Sequence, residues 1–77
     1  MDKVRLLADK IINDFTLTVK DRTDELLRLD AIQYTNMGLD STKEEKKEVK
    51  ANSKFIYKKI KDIDEPLGKS LIEHMDG

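Results

Sequence analysis

The first 37 residues contain neither glycine nor proline, and this constrains the fold more than any other feature of the sequence. Apolar residues recur along them at intervals of three and four, which is the spacing of one face of an α-helix. Phe15, Leu17 and Val19 also alternate as in a β-strand, but that pattern covers only three apolar positions. The helical period extends over about five turns, so we predict helix over residues 3–37.

Two forms of this helical segment are consistent with the sequence. The apolar face that starts at Val4 stays in phase through Leu26 and Leu29, as a single uninterrupted helix requires. Alternatively, the helix breaks near Asp21, and either Asp21 or Thr23 caps a second helix. The pattern alone does not choose between these two forms.

A boundary follows this segment. Gly38 stands where a left-handed C-cap residue is expected at the end of a helix. Ser41 and Thr42 each precede a glutamate by three residues, which is the spacing of a capping box at the start of a helix. We therefore predict a turn over residues 38–41 and a helix over 42–63, antiparallel to the helix before it.

Pro66 marks the last boundary. Proline has no backbone N–H and disfavours helical geometry in the residue before it, but it is well tolerated in the first turn of a helix. The sequence therefore predicts a short final helix over residues 65–75. A chain of 77 residues is long enough for one domain, which we place at residues 1–77.

The composition predicts an all-α fold that is completed by self-association. The chain is 38% apolar and 40% charged and has no cysteine, so a single core supplies only about 3–5 kcal/mol and no disulfide adds to it. We predict an antiparallel helical hairpin, or a small three- to four-helix bundle, which forms a homo-oligomer through a coiled-coil-like face. The expected interface residues are Val4, Leu7, Ile11, Phe15, Leu26, Leu29 and Gln33.

Polar residues interrupt the predicted apolar faces. Gln33 lies on the face of the first segment, and Asn52 and Ser53 lie on or beside the face of helix 42–63. A polar group inside a helical interface can determine register and copy number at some cost in stability. The other interpretation is that these faces are exposed at the three positions, and the sequence leaves both open.

Helix 42–63 also carries a basic face. Residues 43–61 contain eight lysines and three glutamates, a net charge of +5. Such a face is commonly a solvated helix surface, and it can also follow a phosphate backbone, although the absence of arginine excludes bidentate contacts to guanine. The residues that would bind an anion, here called the lysine face, are Lys47, Lys50, Lys54, Lys58 and Lys61.

Other chemistry has little support in the sequence. His74 is the only histidine, the three glycines are isolated, and the calcium-loop spacing that starts at Asp62 has Leu67 where the loop requires glycine. We therefore expect no metal site, no cofactor and no enzymatic activity. The net charge of −1 and the absence of a long apolar run predict a cytoplasmic protein that does not enter a membrane.

These observations predict a small adaptor, inhibitor or assembly factor. It would use its helical faces to bind a protein partner and further copies of itself. The alternative, from a different functional class, is a protein that binds nucleic acid or nucleotide phosphate through the lysine face.

Overall fold

A computed structural model describes residues 3–36 and 42–76 of the chain. These residues form four helices and no strand: α1 is Lys3–Ile12, α2 is Val19–Asn36, α3 is Lys43–Ile63 and α4 is Glu65–Asp76. The all-helical prediction is therefore confirmed over the described ranges. The predicted turn at 38–41 and its Gly38 lie outside them.

The N-terminal half is two helices, and the break between them lies earlier than the predicted position near Asp21. Helix α1 ends at Ile12 and α2 begins at Val19, so the connection covers residues 13–18. The prediction that Asp21 or Thr23 caps the second helix is wrong, because both lie within α2. The hydroxyl of Thr23 donates to the carbonyl oxygen of Val19 at 2.9 Å, one turn earlier in the same helix.

Short polar side chains in the connection explain the position of the break. Asp14 Oδ1 accepts hydrogen bonds from the backbone N–H of Thr16 at 3.1 Å and from its hydroxyl at 2.5 Å. Thr18 Oγ1 then accepts one from the backbone N–H of Asp21 at 3.0 Å, which makes Thr18 the N-cap of α2. Such local hydrogen bonds compete with the backbone hydrogen bonds of a helix, and between α1 and α2 they replace them.

Helix α3 begins at one of the two predicted caps. Thr42 has extended backbone geometry, and its Oγ1 accepts a hydrogen bond from the backbone N–H of Glu45 at 3.1 Å. Ser41, the other candidate, lies outside the described residues. Glu45 also lies in the first turn, where a negative charge interacts favourably with the helix dipole.

Helix α4 folds back against α3 through a close contact at Gly68. Pro66 lies in the first turn of α4, and Asp64 Oδ1 accepts from the backbone N–H of Leu67 at 3.4 Å as its cap. A Cβ atom added at Gly68 would lie 2.5 Å from Lys61 Cβ and closer still to the backbone of Lys61. Only glycine permits so close an approach of the two helices.

Helix α3 is the centre of the fold, because α1, α2 and α4 all pack against it. Arg5 Nε donates to Asn52 Oδ1 at 3.1 Å, and Lys59 Nζ lies 3.5 Å from Asp9 Oδ1, one turn further along α1 and two turns further along α3. This register makes α1 parallel to α3. Helix α1 also packs against α2, which encloses a small core between the three helices.

The core is small. Four apolar side chains of the described residues are fully buried, and they come from α1, α2 and α3: Ala8, Leu26, Ile56 and Ile60. Half-buried apolar side chains surround them, including Val4, Ile11, Ile12, Leu27, Leu29, Phe55, Tyr57, Ile63, Leu67 and Leu71. The radius of gyration is 12.4 Å, close to the roughly 11.5 Å of a compact domain of this length.

Candidate functional site

Helix α1 exposes an apolar surface that the rest of the chain does not cover. Leu6 is 48% and Leu7 is 40% exposed, whereas the next residue, Ala8, is fully buried. The two leucines lie on a shallow, open part of the surface, here called the α1 groove, which is lined by Lys3, Leu6, Leu7, Asp9, Lys10 and Asn13. An apolar centre with a polar rim is the composition of a protein-binding surface.

The charged residues of α1 are arranged unequally around this groove. Asp9 is paired with Lys59 of α3. Arg5 is directed toward α3, where its guanidinium lies 5.5 Å from the ring centroid of Phe55. No ion pair within the described ranges involves Lys3 or Lys10. The available charge on the rim of the α1 groove is therefore positive.

The seven residues predicted at a self-association interface lie in three environments. Two are buried within the chain, three are half-buried and two are exposed: Leu26 and Gln33, then Val4, Ile11 and Leu29, then Leu7 and Phe15. The structure does not bring all seven to one surface, because the buried side chains contact the chain's own helices. Phe15 is 79% exposed and lies beyond α1, with the guanidinium of Arg22 5.2 Å from its ring centroid.

All five residues of the lysine face are exposed, but they line two separate grooves. Helix α4 packs against this side of α3, where Gly68 contacts Lys61; the sequence does not predict this packing. The smaller groove, of about 360 Å³, is lined by Lys47, Lys50, Ala51, Lys54 and Met75. The larger, of about 820 Å³, also contains acidic groups and is lined by Phe55, Lys58, Lys59, Lys61, Asp62, Glu65 and Ile72.

A cluster of hydrogen-bonded polar side chains, here called the Asp30 cluster, joins α2 to α3. Asp30 Oδ1 accepts from Ser53 Oγ at 2.5 Å and from Gln33 Nε2 at 2.9 Å, and Asp30 Oδ2 accepts from the Tyr57 hydroxyl at 2.6 Å. Ser53 Oγ accepts from Gln33 Nε2 and from the Tyr34 hydroxyl, both at 3.1 Å. Residue numbers rise along α2 as they fall along α3, so the two helices are antiparallel.

The sequence left open whether three polar residues are buried or exposed; two of them belong to the Asp30 cluster, and Asn52 accepts a hydrogen bond from Arg5 of α1. Gln33, Asn52 and Ser53 are all buried within the chain. Asp30 was not predicted from the sequence, although it lies four residues after Leu26 and three before Gln33, on the same helix face. A carboxylate on an otherwise apolar face was the signal that could have identified it.

Burial raises the pKa of Tyr57 well above the ordinary range of a phenol, and the hydrogen bond to Asp30 and the charge of Asp30 raise it further. The hydroxyl of Tyr57 therefore stays protonated and continues to donate to the carboxylate at neutral pH. A buried carboxylate that accepts three hydrogen bonds is well satisfied, and the helix that carries it is held in one register.

Over residues 3–36 and 42–76, no group of three histidine or acidic side chains converges in a way that could hold a metal ion. His74 is exposed, and its Nδ1–H donates to the carbonyl oxygen of Ser70 at 2.9 Å, within α4. None of the helices in the described ranges has the length and apolar character needed to cross a membrane.

Fold and surfaces together describe a small all-α protein with a central helix, an exposed apolar groove on α1 and a basic side of α3. No known protein-family model, curated protein or solved structure matches this chain.

Proposed function

We propose that this protein is a non-catalytic interaction module, an adaptor, inhibitor or assembly factor that binds a protein partner and further copies of itself through its helices. The observation that carries the proposal is the adjacent exposure of Leu6 and Leu7 in the α1 groove. Leu6 and Leu7 are already more than half covered, so burying the rest of each side chain contributes about 1 kcal/mol, roughly half of the value for a fully exposed leucine.

The size of the core supports self-association as part of this proposal. A core of four fully buried apolar side chains stabilises a 77-residue chain only modestly, and small domains commonly gain stability by forming oligomers. Apolar surface suitable for this lies outside the α1 groove, since Val19, Ile32 and Tyr34 of α2 are all more than two-fifths exposed. Phe15, just before α2, is exposed as well.

The proposal is tested by removing each apolar surface separately. The double variant Leu6→Ser, Leu7→Ser removes the α1 groove, and the single variant Ile32→Ser is a matched control on α2. We expect both to keep the wild-type circular dichroism spectrum, because the altered side chains are exposed. In affinity capture from the native host, the double variant should lose a protein that the wild type and Ile32→Ser both retain.

Sedimentation over a micromolar concentration range tests the self-association. A stable, fully folded monomer at all concentrations would count against self-association. If, in addition, the wild type and the double variant capture the same proteins, the interaction-module proposal is wrong.

The exposure of all five residues of the lysine face supports a second candidate, the binding of nucleic acid or nucleotide phosphate. Binding through phosphates weakens steeply as salt rises, in proportion to the number of phosphates that the lysines neutralise. The triple variant Lys50→Glu, Lys54→Glu, Lys58→Glu should abolish this activity and leave binding through α1 intact. Salt-insensitive binding of a nucleic acid, or none at low salt, would exclude this candidate.

A further inference from the structure

We propose that the α1 groove binds an amphipathic helix of a partner protein whose apolar side is flanked by acidic side chains. This inference rests on the proposed function and specifies the chemistry of the partner. It is carried by two features of the groove, namely the exposed pair Leu6 and Leu7 and the positive charges at either end of it, Lys3 and Lys10, which form no ion pair with the described residues.

The spacing of Lys3 and Lys10 determines which partner helix fits the α1 groove. Lys3 and Lys10 are seven residues apart, which places them on nearly the same line along α1 and about 10 Å from each other. Leu6 and Leu7 lie between them. A helix packed along α1 would therefore place apolar side chains on the leucines and a carboxylate near each lysine, with its two acidic residues also about seven positions apart.

The other charged groups of α1 do not cancel the preference of the α1 groove for acidic side chains. Asp9 lines the groove, but its carboxylate is already paired with Lys59, 3.5 Å away. Arg5 is held on α3 by Asn52 and by the ring of Phe55. The rim thus keeps two positive charges for a partner and no uncompensated negative one.

The same charges argue against a second copy of α1 as the occupant. A two-fold pair of parallel α1 helices would place Lys3 beside Lys3 and Lys10 beside Lys10. An antiparallel pair would place Lys3 beside Lys10, so like charges meet in both arrangements. Like-charge contacts suppress an incorrect partner, and here they favour an acidic one.

The test uses the full chain and two synthetic helical peptides as probes. Both peptides carry leucines along one side, and the flanking positions at heptad spacing are glutamate in one peptide and lysine in the other. Binding is measured by fluorescence anisotropy at low salt for the wild type, for Lys3→Glu, Lys10→Glu, and for Leu6→Ser, Leu7→Ser. Circular dichroism and thermal unfolding verify that each variant is folded.

We expect the wild type to bind the glutamate peptide about tenfold more tightly than the lysine peptide, because two favourable charge pairs in one complex become two like-charge contacts in the other. The variant Lys3→Glu, Lys10→Glu should reverse this preference, and the serine variant should bind neither peptide. Reversal of the peptide preference is the decisive result. If the lysines had only a structural role, their replacement would weaken the binding of both peptides equally.

Three results would overturn the inference. If the wild type binds both peptides equally and the serine variant binds neither, the proposal of an interaction module is supported but the proposal of an acidic partner is wrong. If neither peptide binds the wild type, the α1 groove is not a helix-binding site. If the wild type forms an oligomer that Leu6→Ser, Leu7→Ser dissolves, the occupant is a second copy.

Discussion

Replacing Gly68 by alanine tests the packing of α4 on α3 most directly. The added Cβ would lie 2.5 Å from Lys61 Cβ and nearer still to the Lys61 backbone, whereas carbon atoms in van der Waals contact are about 3.5–4.0 Å apart. The backbone of Lys61 cannot rotate away as a flexible side chain does. Helix α4 must therefore move outward by about 1 Å, which weakens the packing of Leu67 and Leu71 on the core.

Two opposing effects determine the magnitude. Alanine is better than glycine inside a helix by about 1 kcal/mol, so an unhindered substitution would stabilise the protein. Overpacking of a close contact costs about 1–3 kcal/mol, and here it also displaces an entire helix. We expect Gly68→Ala to lower the free energy of unfolding by about 1–2 kcal/mol net, which lowers Tm by about 5–15 °C for a chain of this length.

Thermal and urea unfolding, followed by circular dichroism, measure this change. Ser70→Ala is the matched control, because Ser70 is exposed two residues further along α4 and its substitution should change stability by only a few tenths of a kcal/mol. Lys61→Ala should not rescue Gly68→Ala, since the backbone of Lys61 is the obstacle. A Gly68→Ala protein more stable than the wild type would refute the close packing of α4.

Three further predictions concern the Asp30 cluster and a helix cap. Tyr57→Phe removes a hydrogen bond to the Asp30 carboxylate and should cost about 1–2 kcal/mol in urea unfolding, more than Tyr34→Phe, whose hydroxyl donates to a neutral serine. Because the pKa of Tyr57 is raised in the folded state, its contribution to stability is complete below about pH 10 and is lost as pH rises above that value. The unfolding free energy should therefore fall more steeply above about pH 10 for the wild type than for Tyr57→Phe, and equal slopes would contradict the raised pKa. Thr42→Ala removes the hydroxyl that accepts from the Glu45 N–H, and a loss of about 1 kcal/mol in the same assay is expected, whereas no loss would mean that Thr42 does not cap α3.

The sequence predicts the helices well where an apolar period and a cap agree. The start of α3 was predicted because a threonine precedes a glutamate by three residues. The break after α1 was misplaced because the apolar period stays in phase through it, as the alignment of Val4 with Leu26 indicated. The hydrogen bonds of Asp14 and Thr18 end one helix and begin the next, and the spacing of the apolar residues does not reveal these bonds.

The candidate site was predictable only in part, for a reason of tertiary packing. The sequence identified Leu7 as an interface residue, and the structure leaves it exposed. It assigned Leu26 to the same interface because both lie on one apolar face, but a helical period does not say which part of a face the chain covers itself. The position of α4 on the lysine side of α3 was likewise not predictable from the sequence, because it depends on the close contact at Gly68.

The central position of α3 has a consequence for synthesis. Both N-terminal helices leave the ribosome before the helix on which they pack, and α1 is only 10 residues long. A helix this short is marginal in water without tertiary contacts. Ala8 and Leu26 can therefore be fully buried only once Ile56 and Ile60 of α3 are available, so the N-terminal helices gain their complete core after the second half of the chain has been made.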